Sequence, residues 1–303
     1  MKPFASILAA TDFSPTAGRA EGRAALLATQ HDARLTLLYC LSGVGLERLR
    51  DRLLHGSAST EAQLRAYYEG VLRRQAEVLA GRWQIEVTPL LAVGQPHREI
   101  TRAAADRGAD LVVLGVMGEH PTRELFLGST AERVIREAAV PVLVVRNEPN
   151  EMYRRVLATI DLSAHSSAVA ETARRLAPKA HLTLAHAFEV PFEGKMQFAG
   201  VSEDNILRYR QEERQIALDT LRTLAEMQDH PYIRVEHGMP EVVIPTLLRE
   251  TVTDLVVVGK HGKSETIDLL LGSMTKHLLR ESACDVLVTP PGMMPKPDSG
   301  KPS

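Results

Sequence analysis

Short apolar runs alternate with longer amphipathic stretches along the whole chain. Ser6–Thr11, Leu35–Cys40, Ile85–Leu91, Leu111–Leu114 and Val142–Val145 read as strands. Between them Ser14–Thr29, Glu61–Ala80, Pro96–Arg107 and Thr130–Glu137 carry helical spacing. Ser14 suits an N-cap and Pro15 a first turn, whose amide has no partner inside a helix. A polar stretch around Gly56-Ser57-Ala58-Ser59 reads as loop. The same order then returns. Strands are predicted at Arg155–Thr159, Leu182–Ala187, Ile233–Glu236, Leu255–Val258 and Val286–Thr289, and helices at Ala164–Leu176, Glu203–Met227, Glu241–Arg249 and Thr275–Arg280. Strands this apolar, separated by helices, predict an α/β fold with parallel sheets covered on both faces.

The second half is a copy of the first. Gly94-Gln95-Pro96 is answered by Gly238-Met239-Pro240, Asp110–Gly115 by Asp254–Gly259, Gly128-Ser129 by Gly272-Ser273, and Val142-Leu143-Val144 by Val286-Leu287-Val288. All share an offset of 144 residues, and 20 of the 52 positions from 94 to 145 are identical to their counterparts. The N-terminal parts match more loosely: Thr11-Asp12-Phe13-Ser14 with Ile160-Asp161-Leu162-Ser163, and Leu35–Tyr39 with Leu182–His186. A duplication predicts two domains of one fold. Arg146–Tyr153, polar and containing Pro149, is the expected linker, and the tail from Pro290 is expected to be mobile.

Composition narrows the function. A length of 303 residues fits two domains at roughly 150 residues each. Thirty-six Lys+Arg against thirty-eight Asp+Glu leave a net charge of −2, without the basic surplus of a nucleic-acid binder. Cys40 and Cys284 are too far apart in sequence for a disulfide framework or zinc spacing, which suits a reducing compartment. No apolar stretch approaches the ~20 residues of a membrane helix, and Asp12 interrupts the apolar opening, so the expectation is a cytoplasmic protein without a membrane partner. The eleven histidines form no ligand pair at helical spacing, and neither a His-Glu-x-x-His nor a Gly-x-Ser-x-Gly motif is present. Gly262-Lys263-Ser264 imitates the end of a P-loop, but the required earlier glycine is Val257. No metal site and no catalytic set emerges.

The glycines carry the chemistry. After the fourth strand of each half comes Gly-x-x-Gly, nine residues, then Gly-Ser opening a helix: Gly115, Gly118, Gly128, Ser129 and Thr130 in the first, Gly259, Gly262, Gly272 and Ser273 in the second. Glycines let backbone approach a ligand closely, and unpaired amides at a helix start favour a phosphate. With these motifs, duplicated, the chain resembles the universal stress protein family, in a tandem two-domain form covering about residues 3–146 and 153–291.

The resemblance implies domains at 1–146 and 153–291 with a tail at 292–303, each domain an open Rossmann-like parallel sheet of the adenine-nucleotide α-hydrolase type, the two related by a pseudo-twofold axis. It places Asp12 and Asp161 near adenine, Cys40 and Ala187 in the adenine wall, and the glycine loops on ribose and phosphates. Each aspartate also suits a turn just before a helix. In one-domain relatives the last strand makes the dimer, so Val142–Val145 and Val286–Thr289 are expected to pair within the chain, a homodimer beyond that staying open. The function implied is an ATP-binding stress-response sensor or regulator, the ATP with its magnesium, and at most a slow ATPase. The alternative is a tandem module for an apolar or lipid-like ligand without ATP. Lys260, His261 and Lys263 suggest that the second site is the tighter one, and a bulky residue at Gly115 or Gly128 is expected to remove binding with the fold left standing.

Overall fold

The computed structural model describes residues 3–43, 45, 57–117, 127–226, 231–261 and 271–291, with 57–59 as backbone only. The first half runs β1 (Ser6–Thr11), α1 (Pro15–His31), β2 (Arg34–Ser42), α2 (Ser57–Trp83), β3 (Val87–Gly94), α3 (Pro96–Asp106), β4 (Leu111–Gly115), α4 (Ser129–Glu137) and β5 (Val142–Val145). The second runs β6 (Arg155–Thr159), α5 (Ser166–Leu176), β7 (His181–Phe188), α6 (Glu193–Phe198), α7 (Glu203–Glu226), β8 (Tyr232–His237), α8 (Pro240–Glu250), β9 (Leu255–Gly259), α9 (Ser273–Glu281) and β10 (Asp285–Thr289). Ser57–Ser59, expected in a loop, already belong to α2, and the short α6 gave no periodic signal. The expected mobile segment 292–303 lies outside the described residues.

The ten strands of the described residues form one sheet in the order β3-β2-β1-β4-β5-β10-β9-β6-β7-β8. Within each half neighbouring strands are parallel, and β5 meets β10 antiparallel with Val144 opposite Val286, Leu143 opposite Leu287 and Val142 opposite Val288. Leu143 faces its own copy in the repeat, so the pseudo-twofold axis passes through that pair. These six residues are at most 3% exposed. At roughly 1.5–3 kcal/mol for each fully buried side chain, their burial stabilises the seam, and pairing removes two edges that would invite aggregation. The sheet divides the core into two slabs. One holds the apolar faces of α1, α2, α5 and α7, the other those of α3, α4, α8 and α9.

Polar contacts also join the halves. Asp110 and Asp254 cap a neighbouring strand: the Asp110 carboxylate accepts from the amides of Ala5 and Ser6 at 3.0 and 3.2 Å, and Asp254 accepts from Arg154 and Arg155 at 2.8 and 3.1 Å. Arg175 of α5 reaches across to Asp110 at 2.8 Å. Gln30 and His31 of α1 donate to the Leu176 carbonyl of α5 at 2.8 and 3.1 Å. The linker is strapped onto α1. A Cβ on Gly22 would stand 2.7 Å from Pro149 Cγ, Arg19 pairs with Glu148 at 2.6 Å, and Arg23 donates to the Glu151 carbonyl at 2.7 Å. Fully buried Asp285 ends this strap. It accepts from Tyr153 Oη at 2.6 Å and from the amides of Arg146 and Asn147 at 2.8 and 3.1 Å, with Arg23 at 3.5 Å.

Candidate functional site

In each half the chain passes from the first strand to one neighbour and returns to the fourth strand on the other side, so the switch in strand order falls between β1 and β4, and between β6 and β9. Ligands of open parallel sheets bind beyond the carboxyl ends at such a switch. In the second half a cavity of about 290 Å³ lies there. Asp161, Ala187, Gly259, Gly272 and Ser273 line it, so five of the seven residues singled out in that half are brought together. His165, His186, Glu241, Ile244 and His261 complete much of the wall. His186 Nδ1 donates to the Ile160 carbonyl at 2.6 Å, which fixes the ring against the end of β6. Its counterpart Tyr39 instead clusters with Phe13 and Tyr68, with ring centroids 4.7 and 4.8 Å away.

Both aspartates brace the turn after their strand. Asp12 accepts from the Ser14 amide at 3.0 Å, and Asp161 accepts from the Ser163 amide and the Ser166 hydroxyl, each at 3.0 Å. The residue between is left-handed in both halves, Phe13 at φ 63° and Leu162 at φ 59°. Bulky side chains rarely adopt that conformation, so a strained corner is built twice at the same place. Beyond it the halves diverge. In the first, Ser14 caps α1 by accepting from the Ala17 amide at 3.2 Å, with Pro15 at the first position. In the second, Ala164 replaces the proline, Ser163 Oγ accepts from the His165 amide at 3.2 Å, and α5 starts only at Ser166.

That difference decides what the glycines do. A Cβ on Gly115 would stand 2.8 Å from the Thr16 carbonyl oxygen and 3.1 Å from the Ala17 amide nitrogen, so Gly115 admits the first turn of α1. The Thr16 hydroxyl then donates to the Met117 carbonyl. The expectation that a bulky residue at Gly115 leaves the fold standing is therefore corrected. At Gly259 the nearest atoms would be His261 O at 3.3 Å, a tight contact that a shift of a few tenths of an ångström relieves, and Val169 Cγ2 at 3.6 Å, an ordinary one. Here Thr275 of α9 donates to the Gly259 carbonyl at 2.7 Å.

Gly128 and Gly272 are the N-caps of α4 and α9. Their amides donate back to Val116 and Lys260 carbonyls at 2.9 and 3.0 Å, and the first intrahelical bonds come from Glu132 and Lys276. The amides of Ser129, Thr130 and Ala131, and of Ser273, Met274 and Thr275, thus precede any intrahelical partner, the arrangement that suits an anion. Cys40 is half-buried, its thiol facing the Gly94 carbonyl at 3.7 Å. Burial, then the Glu99 carboxylate, pushes that thiol up to about 11, so it stays neutral. Lys260 does not line the cavity. It is 7% exposed and its ammonium donates across the seam to the Arg136 carbonyl at the end of α4. Its repeat partner, Val116, is buried at the matching place. One of the three residues behind the expected ranking of the two sites, Lys260, is therefore spent on helix packing, while His261 does line the cavity. Gly118, Gly262 and Lys263 lie outside the described residues.

The model of the universal stress protein family matches residues 3–146 and again 152–290. A universal stress protein of Thermus aquaticus is 36% identical over 143 residues, 47% of this chain and 99% of its own. One from Methanocaldococcus jannaschii is 28% identical over 157 residues, 48% of this chain and 96% of its own. A solved universal stress protein from Archaeoglobus fulgidus shares the fold across 95% of this chain and 96% of that one, with TM-score 0.69 at 19% identity. No helix among the described residues is long and apolar enough to cross a membrane. Matched in both halves, the chain belongs to the universal stress protein family and carries two of its domains in tandem.

Proposed function

We propose that the chain binds adenine nucleotide at the carboxyl ends of its strands, with ATP and its magnesium as the reference ligand, and serves as a cytoplasmic stress-response sensor or regulator. The observation that carries this reading is the convergence of Asp161, Ala187, Gly259, Gly272 and Ser273 on one cavity. Its volume of about 290 Å³ stands at the lower end of small-molecule pockets, which run from roughly 300 Å³. Such a volume suits a nucleoside inside and phosphates toward the mouth, where the α9 amides begin. Ala187, Ile244 and Val258 offer apolar contact to a base, and the backbone amides of Ser273, Met274 and Thr275 at the start of α9 offer donors to phosphate. In the first half Asp12, Cys40, Gly115, Gly128, Ser129 and Thr130 are the matching set, with Gly118 and Gly262 assigned by the motif alone. The chemistry of these groups is binding: they hold and orient, and none is placed as a nucleophile. The unpaired thiols of Cys40 and Cys284 agree with a reducing compartment. The apolar-ligand alternative has one observation behind it, the apolar stretch of the wall formed by Ile160, Val169, Ile244, Val258 and Met274. Mass spectrometry of small molecules released on denaturing the purified chain tests the reading. Adenine nucleotide in the released fraction is the expected result. A fatty acid or other apolar molecule there, with no binding of added ATP, overturns it.

A further inference from the structure

The two halves differ beside the helix that would receive phosphate, where Glu241 of the second half answers to His97 of the first. Among the described residues lining the second cavity none is lysine or arginine, three (His165, His186 and His261) are histidines, and two, Asp161 and Glu241, are carboxylates. Glu241 stands at the start of α8, and its Oε1 accepts from the Ser273 hydroxyl at 3.0 Å. A serine hydroxyl has one proton to give. While Glu241 takes it, Ser273 presents only acceptor lone pairs, and a phosphate oxygen would meet another acceptor beside a negative charge. The pair is open to solvent, which weakens the repulsion between like charges without removing it. The first half differs at this position. Its counterpart is His97, 7% exposed, with Nε2 3.6 Å from Glu137.

Resting on the adenine reading above, we infer that Glu241 makes the second cleft selective for an uncharged adenine ligand, a nucleoside, over its phosphorylated forms, and leaves polyphosphate to the first. A ribose hydroxyl satisfies the Glu241–Ser273 pair by donating to it, where a phosphate oxygen does not. Glu241 is the specificity-determining residue, and the pair sits where the sequence motif expects phosphate contact.

The test uses the full chain carrying Gly128→Val, which silences the first cleft. Gly128 has φ −60° and ψ 141°, backbone that valine adopts readily. Adenosine, AMP, ADP and ATP are titrated by calorimetry, with and without magnesium, against this chain and against versions adding Glu241→Gln or Glu241→His. Affinity should fall from adenosine to ATP when Glu241 is present. Either substitution should raise ATP affinity about 10- to 100-fold, the scale of one charge-assisted hydrogen bond, while adenosine changes by less than about twofold. Tighter binding of ATP than adenosine with Glu241 in place, in either buffer, overturns the inference, as does an ATP affinity indifferent to both substitutions. Failure of every adenine ligand to bind any of these chains, or the chain without substitutions, marks a different failure, that of the adenine reading itself.

Discussion

Gly115→Ala should destabilise the chain where Gly259→Ala barely does, although the two glycines end equivalent strands. The added methyl at position 115 meets Thr16 O at 2.8 Å, Thr16 C at 2.9 Å and Ala17 N at 3.1 Å, all of them backbone. That backbone cannot yield locally. The Ser14 side chain holds the Ala17 amide, the Ser14 carbonyl accepts from the Gly18 amide at 2.9 Å, and Pro15 fixes the first turn. Helix α1 must therefore shift, and the Thr16–Met117 hydrogen bond goes with it. Overpacking costs about 1–3 kcal/mol and a lost hydrogen bond about 0.5–1.5 kcal/mol, together about 2–4 kcal/mol. At Gly259 the closest contact is 3.3 Å, a relaxation of a few tenths of an ångström. That cost is offset by the roughly 0.4–1 kcal/mol gained when alanine restricts the unfolded chain. With roughly 2 °C per kcal/mol in a chain of this size, thermal melts should place Gly115→Ala about 4–8 °C below Gly259→Ala. Equal melting temperatures, or a lower one for Gly259→Ala, would refute the close-packing argument.

Three further outcomes follow from other parts of the structure. Asp285→Ala should cost about 3–5 kcal/mol in urea denaturation, because it strands buried Arg23 and the Tyr153 hydroxyl, and Asp285→Asn should cost less; a loss under about 1 kcal/mol for alanine would remove Asp285 as the anchor of the linker. Burial pushes the Glu21 carboxyl above its ordinary value, against hydrogen bonds from Thr11 and Gln75 that lower it. Its contribution to stability is whole below the unfolded value and lost as pH rises through the folded one, so Glu21→Gln should raise the melting temperature at pH 8 and give no gain at pH 4. A gain that is larger at pH 4 would show the sign to be wrong. Lys260→Met should cost about 1 kcal/mol by removing a donor from the C-terminus of α4 and leave ATP affinity within about twofold; a large loss of affinity would return Lys260 to the phosphate site.

Much of this fold is legible because its signals are local or repeated. Apolar runs mark the strands, Ser14 and Pro15 mark the start of α1, and the 144-residue offset pairs Val142–Val144 with Val286–Val288. The seam follows from the apolar edges that those strands would otherwise expose. What stays hidden depends on contacts between distant residues. Nothing near Phe13 or Leu162 signals a left-handed backbone, since neither is glycine, asparagine or aspartate. The direction of Lys260 depends on α4 of the other half, although Val116 at the matching place carried a signal: a repeat position held by valine in one copy faces something buried. Likewise the Glu241–Ser273 bond joins two helices 32 residues apart in sequence, and only the repeat alignment with His97 sets that glutamate apart. The glycine motif itself is read correctly as spacing, but spacing does not distinguish a glycine that makes room for a ligand from one that makes room for a helix. Gly115 makes room for a helix, and its place in the proposed site rests on the motif.

Equilibrium titration of radiolabelled ATP against the full chain, beside the Gly128→Val, Gly272→Val double variant, tests the central claim most directly. Both substitutions place a branched side chain at the N-cap of a helix whose first amides are proposed to receive phosphate, and both backbones, φ −60° and −58°, accept valine. The account predicts saturable ATP binding by the unsubstituted chain and its loss in the double variant, with the melting curve still cooperative. Unchanged ATP affinity in the double variant, or no binding by the unsubstituted chain, would contradict it.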